Sequence, residues 1–339
     1  MQRINIPEIE DSPHCPDFLR DAVTGYLRVI TDLTRVFEGA GPVLKRLLDQ
    51  FAAHQIQQLQ QHADGADSGE DGAGSSSGGS GGGAAPPEHA PRRMIVDLCS
   101  GGGGALVGLA ERGALGPVDE IVLTDLYPNA AAFALAERRL PPGVCRGVPT
   151  PVDASDVPPE LRGGVRTLFN SLHHLPPPLV LRVLGDAARQ GQPFAAFEVV
   201  ERHPITMLAV IAQGVAVPFL LPFTARPPRL GRQLLRLAAA LPAAPLVAAY
   251  DGFASCVRSY SVKQLRAFAA QASTPTYEFV VRESPRRLLG LRPFRLRWIE
   301  GMPLAPARAS RYAAGAAPHT EAVVRIKSHA PAGSDGKAV

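Results

Sequence analysis

The sequence has few cysteines, and none of them are paired at the short spacing that metal and redox motifs require. Its four cysteines are Cys15, Cys99, Cys145 and Cys256, so neither a cysteine zinc cluster nor a CxxC redox centre is indicated. The formal net charge is also small, at +4, and gives no electrostatic sign of nucleic-acid binding. These absences favour a reduced cytoplasmic protein.

Outside its central region the chain has few patterns that predict stable structure, apart from an N-terminal helical segment. The first residues, MQRINIPEIEDSPH, contain no long apolar run, so we expect no signal peptide. Residues 16–60 place apolar residues at helical intervals, so residues 1–60 are predicted to form an N-terminal helical cap. Residues 61–92 have too little apolar surface to offset ordering entropy and are predicted to be a disordered Gly/Ser-rich linker. Residues 306–339 show little structure-forming pattern and are predicted to be a flexible tail.

Residues 93–305 contain short apolar runs that alternate with helical stretches. The predicted strands are RMIVDLC, EIVLTD, VCRGVP, VRTLFNSL, PFAAFEVV, TYEFVVRES and FRLRWIEGM. Helices between successive strands imply right-handed crossovers. The pattern therefore predicts one α/β domain built on a doubly wound, parallel sheet.

An almost wholly apolar insert occupies residues 204–250. Its two segments, 204–223 and 234–250, each approach the roughly 20 residues that span a bilayer. Proline interrupts them at Pro218, Pro222, Pro242 and Pro245. Three readings stay open: helices buried over an apolar pocket, a hairpin on a membrane surface, or true membrane spans.

The stretch VDLCSGGGG joins the first predicted strand to a helix. A glycine-rich turn at this point lets a cofactor approach the backbone. The dinucleotide motif GxGxxG needs a third glycine, but Leu106 stands at that position. Asp97, at the end of the strand, would repel a phosphate. The remaining alternative is spill-over of glycine from the linker, although a strand and Asp97 intervene.

VDLCSGGGG resembles the first motif of the class I S-adenosylmethionine-dependent methyltransferases, usually Asp-Leu-Gly-Cys-Gly-Thr-Gly. Asp97, Gly101 and Gly103 match it, while Cys99 stands where the family has glycine. IVLTD, PVDASDVP and LFNSLHHL resemble the three motifs that follow, and the resemblance covers residues 93–200. IPEIEDSPHCPDFLRDAVT and YDGFASCVRSYS resemble a bacterial branch of the same superfamily.

The resemblance implies a Rossmann-like, seven-stranded sheet, mostly parallel with a C-terminal antiparallel strand, and S-adenosyl-L-methionine as cofactor. It implies that Asp125 binds the ribose hydroxyls, with a helix N-cap as the alternative, and that Asp153 binds the adenine amino group, with a turn residue as the alternative. The expected cofactor residues are Asp97, Ser100, Gly101, Gly103, Asp125, Leu126, Asp153, Ala154 and Asn170.

Two residues at strand ends are predicted to be catalytic, His174 and Glu198, because ligands of open α/β sheets bind at the carboxyl ends of the strands. A histidine there could act as a base, with local packing as the alternative. No metal site is expected, because no third ligand has a recognisable spacing. The expected substrate-binding residues are His173, Glu201, Arg202, Asp251, Arg258 and Tyr260.

Structural roles are the alternative for several of these residues. Glu198 or Glu201 could pair internally with arginine, and Arg258 could bond Asp251 or Glu198 to pin a lid. NSLHHLPPP lacks the Asn/Asp-Pro-Pro-aromatic motif of the amino-methylating nucleic-acid enzymes. No Pro-Cys nucleophile is present in this region, as C5-cytosine enzymes would need. Nucleic acid is therefore disfavoured as a partner.

The sequence thus predicts an S-adenosylmethionine-dependent methyltransferase with a small or lipid-like hydrophobic acceptor. Its expected location is the cytoplasm, or the inner face of the plasma membrane as a peripheral protein. One alternative is a non-catalytic S-adenosylmethionine-binding protein that docks on a membrane or partner through its insert. A weaker alternative is a nicotinamide-dependent oxidoreductase. The oligomeric state is left open.

Overall fold

Seven strands form one mixed sheet in the order β3-β2-β1-β4-β5-β7-β6. The computed structural model describes residues 3–12, 14–67, 91–224, 243–284 and 294–304. The strands are β1 (Met94–Asp97), β2 (Glu120–Leu123), β3 (Cys145–Gly147), β4 (Gly164–Phe169), β5 (Phe194–Glu198), β6 (Tyr277–Glu283) and β7 (Arg297–Pro303). Strand β7 runs antiparallel to both of its neighbours, and β1 to β5 pair in parallel. The predicted seven-stranded, Rossmann-like sheet with an antiparallel C-terminal strand is confirmed.

Helices cover both faces of the sheet. They are α1 (Asp17–Thr34), α2 (Ala40–Asp67), α3 (Gly104–Glu111), α4 (Ala130–Glu137), α5 (Pro177–Arg189), α6 (Pro204–Thr224), α7 (Ala243–Arg258) and α8 (Val262–Ala272). Short 3-10 turns occupy Pro159–Leu161 and Leu172–His174. Successive strand residues alternate between two hydrophobic cores: Ile95 packs on the α2 and α3 side, and Val96 packs on the α5 and α8 side.

The order of the strands fixes where a ligand can bind. The chain starts in the middle of the sheet at β1, winds outward to β3, and then crosses back to β4 on the other side of β1. A crevice therefore opens at the carboxyl ends of β1 and β4, where the loops that follow them diverge to opposite faces. The glycine loop (residues 98–103) and the turn Leu172–His174 both lie at this edge.

Helix α2 differs from its predicted end. It continues to Asp67, so the predicted linker boundary at residue 61 is wrong by several residues. Residues 91–92 are also described and lead into β1, whereas residues 68–90 lie outside the described part. The tail predicted at 306–339 lies outside it as well. Near its start, α2 packs on the sheet through Leu44 and Leu47, both fully buried.

The described residues of the apolar insert form two helices, α6 and α7, that pack closely on each other. A Cβ at Gly214 would lie 2.9 Å from the Cβ of Ala249, so glycine permits the close approach. The helices bury only part of their apolar surface, because Ile205, Leu208 and Leu246 are 56%, 69% and 68% exposed. Within the described residues, no helix combines the length and apolarity needed for a membrane span. Residues 225–242 lie outside the described part.

Candidate active site

Two of the four consecutive glycines adopt a backbone conformation that other residues avoid. Gly101 has φ of 53° and Gly103 has φ of 67°, both in the left-handed region. A Cβ at Gly103 would also lie 2.9 Å from Cδ1 of Leu123, whereas a Cβ at Gly101 would meet nothing within 4 Å. The glycine loop is therefore an ordered turn and not an extension of the linker. The space beside Gly101 is open.

A third glycine makes room for helix α1. A Cβ at Gly104 would lie 2.9 Å from Cγ and 3.2 Å from Cα of Arg28. The N-terminal helix therefore packs directly against the glycine loop. Leu106, which stands where a dinucleotide motif would place glycine, is fully buried in the core.

Cys99 holds a left-handed conformation without being glycine. Its φ is 54°, a conformation that costs a non-glycine residue roughly 1–2 kcal/mol. Burial raises the pKa of its thiol to about 12, and the nearby carboxylates of Asp125, Asp97 and Asp153 act in the same direction. The thiol is thus protonated at neutral pH and is not a nucleophile.

Asp97 lies beneath the loop. Its side chain is buried, and its Oδ1 accepts a hydrogen bond of 2.6 Å from Oγ1 of Thr167. Burial is the main reason that its pKa rises to about 7. The backbone oxygen of Asp97 accepts hydrogen bonds from the hydroxyls of Ser100 and Thr124. Asp97 and Ser100 therefore organise the turn from below.

Asp125 connects the second strand to the glycine loop. Its Oδ2 accepts a hydrogen bond of 2.9 Å from the backbone N–H of Gly101, and its Oδ1 accepts one from Tyr127. The N-cap of α4 is Asn129, whose side chain accepts a hydrogen bond from Ala132. The alternative of Asp125 as a helix N-cap is therefore wrong.

Three further predicted cofactor residues surround Asp125. Leu126 follows it directly and is 46% exposed. Asp153 accepts hydrogen bonds of 2.8 Å from the backbone N–H and from the hydroxyl of Ser155. These bonds are typical of a turn residue, which is the alternative role considered for Asp153. Ala154 beside it is buried.

Asn170 closes the set at the end of β4. Its φ is 53°, and its side-chain oxygen accepts a hydrogen bond of 3.3 Å from the N–H of Val199. The expected cofactor residues therefore all follow strands at the carboxyl edge of the sheet or, for Asp97, end one.

His173 and Glu198 form a buried pair. The Nδ1 of His173 lies 2.7 Å from Oε2 of Glu198, and Oε1 of Glu198 accepts a hydrogen bond of 2.8 Å from the N–H of Leu172. Burial opposes a charge on His173, but Glu198 and Glu8 outweigh it and raise its pKa to about 9. Glu198, predicted to be catalytic, thus positions His173, and His173 itself is fully buried.

His174 is the more accessible of the two histidines. Its side chain is 25% exposed, its Nδ1 lies 3.1 Å from Oδ2 of Asp11, and its Nε2 lies 3.6 Å from Oε2 of Glu8. Neither acid was among the predicted site residues. Both belong to residues 3–12, which we call the N-terminal strap. The run EIED was the available signal, but nothing local links it to the histidines.

Residues predicted to bind substrate hold this strap. Asp251 accepts hydrogen bonds of 2.6 and 3.1 Å from the N–H groups of Ile9 and Glu10. Arg258 lies 3.0 Å from Asp11 and 3.4 Å from Glu8. The alternative partners of Arg258 are therefore wrong: within the described residues, its recorded ion pairs are with the strap.

Tyr260 also faces the strap, because the guanidinium of Arg3 lies 4.6 Å from its ring centroid. The tyrosine hydroxyl donates a hydrogen bond to the carbonyl of Leu175. The last two predicted substrate residues face other partners. Arg202 donates a hydrogen bond of 3.0 Å to Gln264, and the carboxylate of Glu201 accepts one from Thr206.

Neither a family model nor a curated protein matches the chain. Similar solved structures include LepI in complex with SAM (14% identity over 62% of this chain and 43% of LepI, TM-score 0.33). A second is the mitomycin 7-O-methyltransferase MmcR, with 15% identity over 63% of this chain and 49% of MmcR and a TM-score of 0.36. A third is a SAM-dependent methyltransferase from Aquifex aeolicus, with 13% identity over 63% of this chain and 85% of that protein and a TM-score of 0.34. The chain spans less than half of LepI and MmcR.

Proposed function

We propose that the chain is a class I methyltransferase that uses S-adenosyl-L-methionine and acts on a small or lipid-like hydrophobic acceptor. The observation that carries this proposal is the bond between Asp125 and the backbone N–H of Gly101. It joins an acidic residue at the end of β2 to a left-handed glycine turn after β1. This arrangement suits a ligand that has two neighbouring hydroxyls to hydrogen-bond to the carboxylate and a flat surface to pack on the loop backbone.

The charges around the turn favour this cofactor over a dinucleotide. The carboxylates of Asp97, Asp125 and Asp153 lie close enough to Cys99 to raise its pKa. They would repel a pyrophosphate, but they would attract the ammonium and sulfonium of S-adenosylmethionine. The open space at Gly101 and the exposed side chain of Leu126 would leave room for the nucleoside of the cofactor.

The bound cofactor would supply a methyl group activated by its sulfonium. The chain would bind and orient it through the glycine loop and would exclude water from the transfer. His174 is the partly exposed histidine at this edge and is the residue proposed to take a proton from the acceptor. His173 and Glu198 would hold the turn that carries it, as their bond of 2.7 Å supports.

The apolar character proposed for the acceptor rests on the insert. Helix α6 begins a few residues after the end of β5, at the same edge of the sheet as the glycine loop. Its exposed side chains Ile205 and Leu208, with Leu246 from α7, offer apolar surface on the insert. Such surface favours a ligand that loses water on binding.

Titration calorimetry tests the cofactor. We expect S-adenosylmethionine to bind and NAD to give no heat. Asp125→Asn should weaken binding by about 1.5–3 kcal/mol for each lost charge-assisted hydrogen bond. The matched control is Asp156→Asn, which removes an exposed carboxylate three residues after Asp153. Equal affinity of the two variants would contradict the role of Asp125, and the absence of heat with wild-type protein would contradict the proposal.

A second candidate is a non-catalytic S-adenosylmethionine-binding protein that docks through its insert. The exposed apolar side chains of α6 and α7 favour it, and so does the strap that lies over both histidines. Sedimentation with anionic and zwitterionic lipid vesicles separates the two. Stable binding to vesicles without methyl transfer to an added apolar acceptor would support docking, whereas protein that stays in the supernatant and produces S-adenosylhomocysteine would support the enzyme.

A further inference from the structure

We propose that Glu8, His173 and His174 form a binding site for a divalent transition-metal ion such as zinc. Their ligand atoms all lie within 4.8 Å of one another. Two imidazoles and one carboxylate are a ligand set that zinc accepts at catalytic sites, with a further position left for water or substrate. The sequence suggested no metal site because the third ligand, Glu8, comes from a distant part of the chain.

The distances fit an ion better than they fit hydrogen bonds. Nε2 of His173 lies 3.7 Å from Oε1 of Glu8, and Nε2 of His174 lies 3.6 Å from Oε2 of the same residue. Both separations are too long for a hydrogen bond. Two ligands that are each about 2.0–2.2 Å from one zinc ion are about 3.3–3.8 Å apart at tetrahedral to trigonal angles.

A buried nitrogen at the centre of this cluster faces Glu8 but makes no hydrogen bond. Nε2 of His173 makes no hydrogen bond within the described structure, although the side chain is fully buried. Such an atom normally costs free energy. The other nitrogen, Nδ1, is bound to Glu198 at 2.7 Å. A carboxylate on the far side of the ring is the usual way in which proteins orient a histidine that ligates a metal.

Glu8 is held in place by groups that leave one oxygen open. Ser255 donates a hydrogen bond of 2.8 Å to Oε1, and Arg258 lies 3.4 Å from the same oxygen. Arg258 would repel an ion, but its closer contact, at 3.0 Å, is with Asp11. Oε2 faces His174. Because the 3.7 Å separation from His173 involves Oε1, the carboxylate would have to rotate so that Oε2 meets both histidine nitrogens while Oε1 keeps its hydrogen bond from Ser255.

The surrounding charge favours a cation. Glu8, Glu10 and Asp11 follow one another in the strap, and Asp251 binds the backbone of Glu10. Nearby carboxylates repel one another in a partly buried site, and a divalent ion would relieve that repulsion. Imidazole ligands favour zinc, iron or nickel, whereas magnesium and calcium prefer oxygen ligands.

The experiment is a titration of chelator-treated, full-length protein with CoCl2 and with ZnCl2, without S-adenosylmethionine. We expect one ion per chain and the visible absorption bands of Co²⁺ bound by nitrogen and oxygen. Glu8→Gln and His174→Asn should each weaken binding at least tenfold. His14→Asn, which changes an exposed histidine of the same N-terminal region, should bind like wild type.

Three results would overturn the proposal: no Co²⁺ bands in wild-type protein, equal affinity of Glu8→Gln and wild type, or effective competition by MgCl2. If a variant fails to fold, the wild-type spectrum still decides, because a protein that is folded and shows no bands contradicts the site. Since S-adenosylmethionine is not used, failure of the metal site leaves the proposed methyltransferase intact, with His174 as its base, and failure of cofactor binding leaves the metal result intact. An ion at the site would occupy Nε2 of His174 while Nδ1 faces Asp11, so a positive metal result would remove His174 from the role of base.

Discussion

The glycine loop and the N-terminal strap lie at the same edge of the sheet but are built in different ways. The loop is made by residues that directly follow their strands, and its key bond joins Asp125 to Gly101, 24 residues apart. The strap reaches the histidine turn from the start of the chain, and His174 meets Asp11 across 163 residues. The first region depends on local backbone geometry, whereas the second depends on charges brought together by the whole fold.

The largest expected effect lies on the strap side. Glu198→Ala removes the partner of both His173 and the Leu172 N–H, so it should lower the free energy of unfolding by about 3–5 kcal/mol. Glu198→Gln keeps an acceptor for Leu172 and should lose less. Urea unfolding at pH 7 measures both variants. A loss below about 1 kcal/mol for Glu198→Ala would show that the pair contributes little.

A pH series sharpens the same side of the comparison. The pKa of His173 rises from 6.5 to about 9 in the folded protein, so folding binds its proton more tightly. That stabilisation is fully present below about pH 6.5 and is lost as the pH rises through about 9, by about 1–3 kcal/mol. Unfolding of chelator-treated protein in urea at pH 6.5, 7.75 and 9 measures the loss, because a metal ion on Nε2 of His173 would displace the proton.

Glu10 supplies the control for that series. Burial and neighbouring carboxylates raise its pKa to about 8, so it adds a loss in an overlapping range. Glu10→Gln removes this contribution and should leave the part due to His173, together with a smaller loss from Asp97 that is complete soon above pH 7. A flat profile in Glu10→Gln would assign the whole pH dependence to Glu10 and contradict the role of His173.

An effect smaller than that of Glu198→Ala tests the loop. Gly103→Ala pays for a left-handed conformation and for contact with Leu123, so we expect a loss of about 2–4 kcal/mol. Gly113→Ala has nearly the same φ, 68°, but its Cβ would meet nothing within 4 Å. It should lose only about 1–2 kcal/mol. Thermal or urea unfolding compares the two, and equal losses would show that contact with Leu123 is not limiting.

The sequence predicted the fold and the loop well because both depend on local patterns. Short apolar runs gave the seven strands, since buried parallel strands need continuous apolar residues. Gly101 and Gly103 were readable because a left-handed turn selects glycine. Cys99 departs from the motif, and no sequence pattern predicted that this cysteine would adopt a strained, left-handed backbone conformation.

Other features could not be predicted from local pattern. The end of α2 was missed because its last turns are polar and extend past the core, so no apolar stripe marks them. The roles of Asp251 and Arg258 were missed for a different reason. Their residue types are suited to binding a substrate, but only the folded structure shows that they bind the N-terminal strap.

The N-terminal segment has a consequence for how the two sides of the edge communicate. Its first residues bind the histidine turn, and a few turns later α1 lies against Gly104 of the loop helix. A substitution that displaces this segment would therefore disturb both the histidine turn and the glycine loop.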